Sequence, residues 1–390
     1  MQNFKQHQIE PIVVNFLEED FEKLEKYFAG VQLLRETSPK THDAVLAYGE
    51  ILSAKTLVAI LQKHQCDAVF VDSRDFLLTN NTFTNAQPDL EVSTQKAKEI
   101  FSKLDLKKQV PIVTGFIGAT EKGETTTLGR NGSNYSASLL ANFLDAECLE
   151  NYTHVDGVFT VNPEIVEDAR HIQALSYQEA NEMVSFGMNI LHAKTLIPLI
   201  EKDIPIYILN TFKGLDQTGT YISNQSKANV KSISVLKNKS LVVFEGSGLL
   251  GKVGVDARIF KALGDAKVSV SIVSQGSSER GIGLVVDGND AQKAIDALTE
   301  EFKQDILERD VDKVHSINNL SVVSIIGQKL NNFNKPFNAL VRNHIEPLLI
   351  SNTITGDNIG LLIHEKDLNK VLHVIHGELF EDAKPIHLAI

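Results

Sequence analysis

Apolar side chains recur at helical spacing near the start of the chain. Phe16, Leu17, Phe21, Leu24, Tyr27 and Phe28 share one stripe and predict an amphipathic helix over residues 16–28. Val45, Leu46, Ile51, Leu52, Leu57, Ile60 and Leu61 predict a second over 42–65. The period then shortens. Residues 68–71 read as a buried strand, 94–104 as a helix, and 110–116 as a strand broken by Gly115. A small-residue helix over 134–144, a strand over 148–152, a helix over 183–200 and a strand over 204–209 follow. Apolar strands alternating with helices predict a mostly parallel sheet covered on both faces, an α/β fold of three αβα layers.

Residues 218–230 are polar, carry Gly, Ser and Asn, and read as a linker. Beyond them the order of elements changes. Residues 232–301 read as strand, strand, helix, strand, strand and helix, through SLVVFEG, KVGVDARIFKAL, VSVSIVS, GIGLVVD and AQKAIDALTEEF. Residues 320–379 repeat that order through LSVVSIIG, a helix over 337–343, PLLIS, NIGLLI and a last helix. This is an internal repeat of roughly 80 residues with the βαββαβ, ferredoxin-like pattern. The expected organisation is an α/β domain over 1–225 and two ferredoxin-like units over 230–310 and 311–390.

Composition narrows the partners. Hydrophobic residues are 43% and charged residues 23%, ordinary for a globular chain, and the formal net charge is −12. No basic excess exists to neutralise nucleic acid or an anionic membrane, although a local basic pocket for one nucleotide is compatible with it. Cys66 and Cys148 lie in apolar contexts without a CxxC motif or a histidine cluster, and read as two reduced, buried thiols. No metal site is expected. No apolar run approaches a membrane span, and MQNFKQHQIE has no apolar signal core, so the expected location is cytoplasmic.

The most informative segment is VPIVTGFIGATEKGETTTLGRNGSNYSASLLANFL, residues 110–144. A strand ends at Gly115–Phe116, a Gly/Thr-rich loop follows, and a helix opens at about Ser133. Backbone N–H groups in such a loop and at the helix start favour an anion, and the planar fork of Arg130 suits a carboxylate or phosphate. Loop chemistry alone favours a solvated turn with Ser133 as the helix N-cap. The linked motifs GFIG, TTTLGRNGS, VDGVFTVNP and FGMNILHA change that weighting. Together they resemble the amino-acid kinase family and, within it, the aspartokinases. TLGRNGSNYSASLLA is especially similar to the threonine-regulated bifunctional aspartokinase/homoserine dehydrogenases. The resemblance runs from Asp43 to Ile390, and the two repeats resemble the paired ACT domains of those enzymes.

The resemblance implies ATP-dependent phosphorylation of L-aspartate to 4-phospho-L-aspartate, the first step of the aspartate-family pathway, with Mg²⁺ carried by ATP. Arg130 would hold the substrate α-carboxylate and Glu50, in LAYGEILSA, its ammonium. Phe116, Ser133 and Asn134 would complete the pocket. The segment 151–164, NYTHVDGVFTVNPE, matches the adenine and ribose lining through Thr153, His154, Asp156, Val158 and Phe159, with Asn189 further on. Departures concentrate here. His154 stands where many relatives have Asp, Phe159 where many have Tyr, Asn162 for an Asp, Glu164 for an Arg, and Asn189 for a Lys. Ala193 replaces a Pro, and Asn134 replaces the Asp of the usual GSD. Two cations are thereby removed from a site for phosphates.

In the second half, Ser247, Gly248, Leu249 and Gly251, with Val270, Gln275 and Ser277, match an effector site. Threonine is favoured over lysine as the ligand, and pairing of ACT domains implies at least a homodimer. The family's opening strand and KFGGTS-like phosphate loop have no counterpart, and PIHLAI reads as a strand that stops short or, alternatively, as one that closes an ACT sheet. The chain therefore reads as truncated at its N-terminus and at its C-terminus, with little or no kinase turnover expected of it alone. A kinase-like amino-acid sensor or scaffold is the alternative, favoured by His154, Glu164 and Asn189, whereas Glu50, Arg130 and Ser133 favour the enzyme.

Overall fold

The structure is a computed structural model and describes residues 10–187, 191–214, 217–224, 230–249, 252–275, 281–327, 334–353 and 358–380. In chain order its elements begin with α1 (Glu10–Leu34), α2 (Pro39–Lys63), β1 (Ala68–Val71), α3 (Leu90–Phe101), β2 (Val110–Val113), β3 (Ile117–Ala119), β4 (Thr125–Thr127), α4 (Gly132–Phe143) and β5 (Leu149–Thr153). Then come β6 (Val158–Phe159), β7 (His171–Ile172), β8 (Ala174–Ser176), α5 (Tyr177–Ser185), α6 (Ala193–Glu201), β9 (Ile206–Asn210), β10 (Thr220–Ser223) and β11 (Val230–Glu245). The last are α7 (Val255–Asp265), β12 (Val270–Gln275), β13 (Gly281–Asp287), α8 (Ala291–Glu301), α9 (Lys303–Leu307), β14 (Lys313–Gly327), α10 (Asn334–Arg342), β15 (Leu349–Asn352), β16 (Asn358–His364) and α11 (Leu368–Phe380). The chain divides into two compact units. The first holds residues up to His154 with 190–212 and 221–224; the second holds 155–189, 213–220 and the chain from 225 onward.

In the first unit, β1 pairs with β2 in parallel, Ala68 opposite Val110, and β5 pairs with β9 in parallel, Leu149 opposite Ile206. Successive β1 side chains point to opposite faces. Val71 packs with Phe76, Ala97, Phe101, Leu139 and Phe143 of the α3–α4 side. Phe70 packs instead with Ala47, Ile51 and Ile117 of the α2 side. Helices therefore cover both faces, the expected α/β layering. Helix α2 starts where Ser38 accepts the Thr41 N–H at 3.2 Å and Pro39 opens the first turn.

Helix α2 has 25 residues and the apolarity of a membrane span, which corrects the reading that no segment does. Its setting is a protein core: Asp43, Ala47, Ile51 and Val58 are buried, and Asp43 is hydrogen-bonded to a strand. A helix that must satisfy a buried carboxylate through tertiary contacts is built into its domain.

Three other expectations are corrected. The helix over 183–200 is two helices, α5 and α6. Gly187 has φ +106°, a backbone unsuited to helix, and His192 caps α6 by accepting the Lys194 N–H at 3.3 Å. The linker over 218–230 contains β10. The Gly/Thr loop contains the hairpin β3–β4, Ile117 opposite Thr127.

The second unit is dominated by a six-stranded sheet of order β12-β13-β11-β14-β16-β15. The first half of β11 pairs with the end of β14, Ser232 opposite Ile326. Its second half lies between β13 and the start of β14, Val242 facing Leu284 and Ser316. The two repeats share both long strands, so the boundary expected at 310–311 does not separate two sheets. Helices α7 and α8 cover Val242, Phe244, Ile282 and Leu284, whereas α10 and α11 cover Ile233, Val323, Ile325 and Leu361. Leu241, Ile272, Val285, Val322 and Leu362 form a separate cluster on the opposite faces of the same strands. Each sheet position thus packs on one of two sides, as the period of two requires. The predicted strand at PIHLAI lies outside the described residues.

Candidate active site

Helix α2 and the loop leading into α4 border an open cavity of about 510 Å³ in the first unit. Glu50, Phe116, Arg130, Ser133 and Asn134 all line it, with His42, Leu46, Thr84, Thr127, Gly129, Asn131 and Gly132. His42, Leu46 and Glu50 are four residues apart on one helix, so they share a face. The Ser133 hydroxyl donates to Glu50 Oε1 at 3.1 Å. Ser133 is therefore not the N-cap. That position belongs to Asn131, which has φ +57° and makes no side-chain capping bond. The helix start is left open toward the cavity, and its N–H groups carry a partial positive charge there. Arg130 is exposed beside it.

The backbone of this site is unusual in a concentrated way. Phe116 has φ +67°, Gly129 +78° and Asn131 +57°. Left-handed geometry at a bulky residue such as Phe116 costs of order 1–3 kcal/mol and persists only where neighbours enforce it. They do so here: the Phe116 N–H donates to Ser136 Oγ at 2.9 Å, and its carbonyl accepts from Leu128 N–H at 2.9 Å. Gly132 allows the ring to pass, because a Cβ there would sit 2.6 Å from Phe116 Cδ2. Gly115 gives Ser133 the same room, at 3.0 Å from its Cβ.

The sequence reading missed Asp43. Its carboxylate is fully buried and accepts from Thr84 N–H at 2.8 Å, Thr127 N–H at 2.9 Å and Thr127 Oγ1 at 2.9 Å. It thereby ties α2 to β4 and to the Thr84 turn, two walls of the cavity. A charged residue on an otherwise apolar helix face, one turn from the cavity residues, is the signal that points to it.

The residues expected at a nucleotide are distributed. Thr153 ends β5 in the first unit and His154 follows it; Thr153 Oγ1 lies 3.4 Å from His154 Nδ1, and the Thr153 carbonyl accepts from Thr211 N–H at 2.8 Å. Asp156, Val158 and Phe159 belong to the second unit. Asp156 pairs with Lys213 at 2.8 Å. Val158 is buried and donates its N–H to Thr220 Oγ1 at 2.8 Å. Phe159 meets His171 edge-on at 5.5 Å. Burial pushes the His171 imidazole below its ordinary value, with Asp156 opposing and Lys213 assisting. Asn189 lies outside the described residues.

Among the effector residues, the Ser247 N–H and hydroxyl both donate to Asp312 Oδ2 at 3.0 Å. The Gly248 N–H donates to the Asp310 carbonyl at 3.1 Å, and a side chain on Gly248 would strike Asp310. Leu249 ends the same short turn. Strands β11 and β12 both run antiparallel to β13, so this loop and Gln275 share one end of the sheet, with Phe244 and Gln275 flanking Ile282. Val270 does not join them: it pairs with Val286 at the far end of β12, about 17 Å of strand away. Gly251 and Ser277 lie outside the described residues. Cys66 and Cys148 are free but half-buried rather than buried, and desolvation, then Glu150 and Glu147, raises the Cys148 thiol pKa. Among the described residues no group of three metal-ligating side chains occurs.

Known proteins resemble this chain over both of its halves. The amino acid kinase family matches residues 6–210, and an ACT domain matches residues 242–302. Bifunctional aspartokinase/homoserine dehydrogenase 1, chloroplastic, of Arabidopsis thaliana is 31% identical over 379 residues, covering 93% of this chain and 41% of that protein. Lysine-sensitive aspartokinase 3 of Escherichia coli is 29% identical over 373 residues, covering 92% of this chain and 81% of its own length. The crystal structure of E. coli aspartokinase III in complex with aspartate and ADP has a TM-score of 0.76 at 28% identity, covering 94% of this chain and 82% of that one. The Clostridium acetobutylicum aspartate kinase has a TM-score of 0.78 at 24% identity, a likeness of fold. The chain spans less than half the length of the bifunctional relatives it matches.

Proposed function

Because the chain belongs to the amino acid kinase family, we propose that it is the kinase and regulatory part of an aspartokinase. The carrying observation is that a carboxylate, Glu50, and a guanidinium, Arg130, line the same cavity. Two opposite charges in one pocket read an amino-acid zwitterion. Arg130 takes the α-carboxylate in its fork, and Glu50, oriented by Ser133, takes the ammonium. The side-chain carboxylate is then left to react. One of its oxygens attacks the γ-phosphorus of ATP, the bond to the β–γ bridging oxygen breaks, and ADP leaves. Magnesium carried by ATP offsets phosphate charge, and the protein's own task is alignment of two anions. Support for the substrates comes from the relative solved with aspartate and ADP.

The loop at Ser247–Leu249 with Gln275 is the proposed effector site, with threonine as the favoured amino acid and a homodimer as its setting. A cytoplasmic place of action goes with this reading. The test is trapping of the acyl phosphate with hydroxylamine. Aspartyl hydroxamate that depends on ATP and L-aspartate supports the enzyme. Aspartate binding with neither hydroxamate nor binding of an ATP analogue by calorimetry supports the second reading, an amino-acid sensor, which the Asn189 and Glu164 departures favour.

A further inference from the structure

We propose that Lys194 is the cation that meets the nucleotide's phosphates in this chain, five positions after the Asn189 that stands in a lysine's place; the proposal rests on the kinase reading. Lys194 lies in the first turn of α6 and is half-buried, with its backbone held by His192 Nδ1. Its ammonium donates to Asn85 Oδ1 at 3.2 Å. Asn85 adjoins Thr84, a residue of the cavity wall. The same Oδ1 lies 3.1 Å from the position a Cβ would take on Gly129, the wall residue preceding Arg130. One hydrogen bond and this close approach of Asn85 to Gly129 thus bring the ammonium near the wall that carries Arg130 and the open start of α4.

The partner of Lys194 is also informative. Some other lysines of this unit are matched to carboxylates, as Lys40 is to Glu124 at 2.7 Å and Lys98 to Asp145 at 3.2 Å. Among the described residues, Lys194 has a neutral amide as its recorded partner and no ion pair. An amide fixes the direction of an ammonium without cancelling its charge. The full charge remains for an anion, and a compact ammonium on a flexible stem serves a phosphate as a point charge. The bound amino acid already has its own cation in Arg130. The second cation near this wall therefore serves a second anion, the polyphosphate.

Titration calorimetry on the whole chain tests this, with ADP plus magnesium and L-aspartate as separate probes for wild type, Lys194→Ala and Lys194→Arg. The expected result is at least a tenfold loss of ADP affinity in Lys194→Ala, a smaller loss in Lys194→Arg, and L-aspartate affinity within twofold of wild type in both. Wild-type ADP affinity retained in Lys194→Ala overturns the role of Lys194 and leaves the kinase reading standing. A parallel tenfold loss for L-aspartate also overturns it, because the residue then supports the cavity as a whole. Wild type that binds L-aspartate but gives no ADP heat overturns both the kinase reading and the assignment.

Discussion

Replacing Asp43 with Ala removes the one acceptor shared by Thr84 N–H, Thr127 N–H and Thr127 Oγ1. The side chain is fully buried, so water cannot substitute for it without opening the interface between α2 and β4. Each buried donor left unpaired costs about 1–3 kcal/mol, more where the lost partner was charged. Counting the two backbone donors and allowing the Thr127 hydroxyl to rotate gives a loss of about 3–5 kcal/mol, a large share of the ~5–15 kcal/mol that holds a domain folded. At about 2–4 °C per kcal/mol for a unit of this size, the first unit should melt about 10 °C lower. Asp43→Asn keeps the shape but turns an NH₂ toward a donor, and should fall between the two. Differential scanning fluorimetry with urea titration measures both. Because Thr84 and Thr127 line the cavity, L-aspartate affinity should fall with stability. An Asp43→Ala protein melting within about 1 °C of wild type, well under the shift expected for even 1 kcal/mol, would refute the assignment of Asp43 as the tie between these walls.

Other perturbations follow from the same geometry. Gly132→Ala places a methyl 2.6 Å from Phe116 Cδ2 and must displace that ring. Its cost should be about 1–3 kcal/mol with a clear loss of L-aspartate affinity, and unchanged binding by calorimetry would contradict it. Gly157→Ala combines φ +116° with a Cβ 2.6 Å from Thr220 Oγ1 and 2.7 Å from His171 Nε2. It should weaken nucleotide binding more than aspartate binding, and equal effects on both would count against it. His376 is buried, with its Nε2 3.0 Å from Thr160 Oγ1. Desolvation, then Arg170 and His373, lowers its pKa, while Asp168 opposes them. The unfolded chain then takes up the proton first, so stability is full above the usual histidine value near 6.5 and is lost as pH falls below it, by at most ~1.4 kcal/mol per pH unit. His376→Gln should flatten that fall in urea melts between pH 7.5 and 5.5; an unaltered slope would rule the residue out.

Much of the fold was legible because the apolar period is strong where helices and strands are amphipathic. Strand β1 was read to the residue, and α2, α4 and β5 to within a few positions, since their buried faces follow a regular spacing. The division of 183–200 was not legible. Apolar residues continue through the break, and the interruption is a backbone event at Gly187, whose φ is +106°. The sharing of β11 and β14 was hidden for another reason. A strand with partners on both edges has the same alternation whichever repeat supplies them, so register is decided by tertiary pairing. Within the site, Phe116 and Arg130 were legible from the linked motifs and Glu50 from LAYGEILSA, whereas His42 on the same helix face was not. Asp43 was not, because a carboxylate on a helix reads as solvent-facing until the strand it bonds is in place. The bond between Ser133 and Glu50 joins residues 83 apart, beyond any local pattern. Val270 shows the opposite failure: proximity along the chain to Gln275 does not place it at the same end of the sheet.

The account stands on Arg130 and Glu50 reading the two charged ends of one amino acid, and titration of L-aspartate and of succinate into wild type, Arg130→Lys and Glu50→Gln tests that most directly. Succinate keeps both carboxylates and lacks the ammonium. Arg130→Lys should weaken both ligands at least tenfold through loss of the two-pronged contact, and Glu50→Gln should weaken L-aspartate while leaving or improving succinate. Binding of L-aspartate at wild-type affinity by both variants would contradict it.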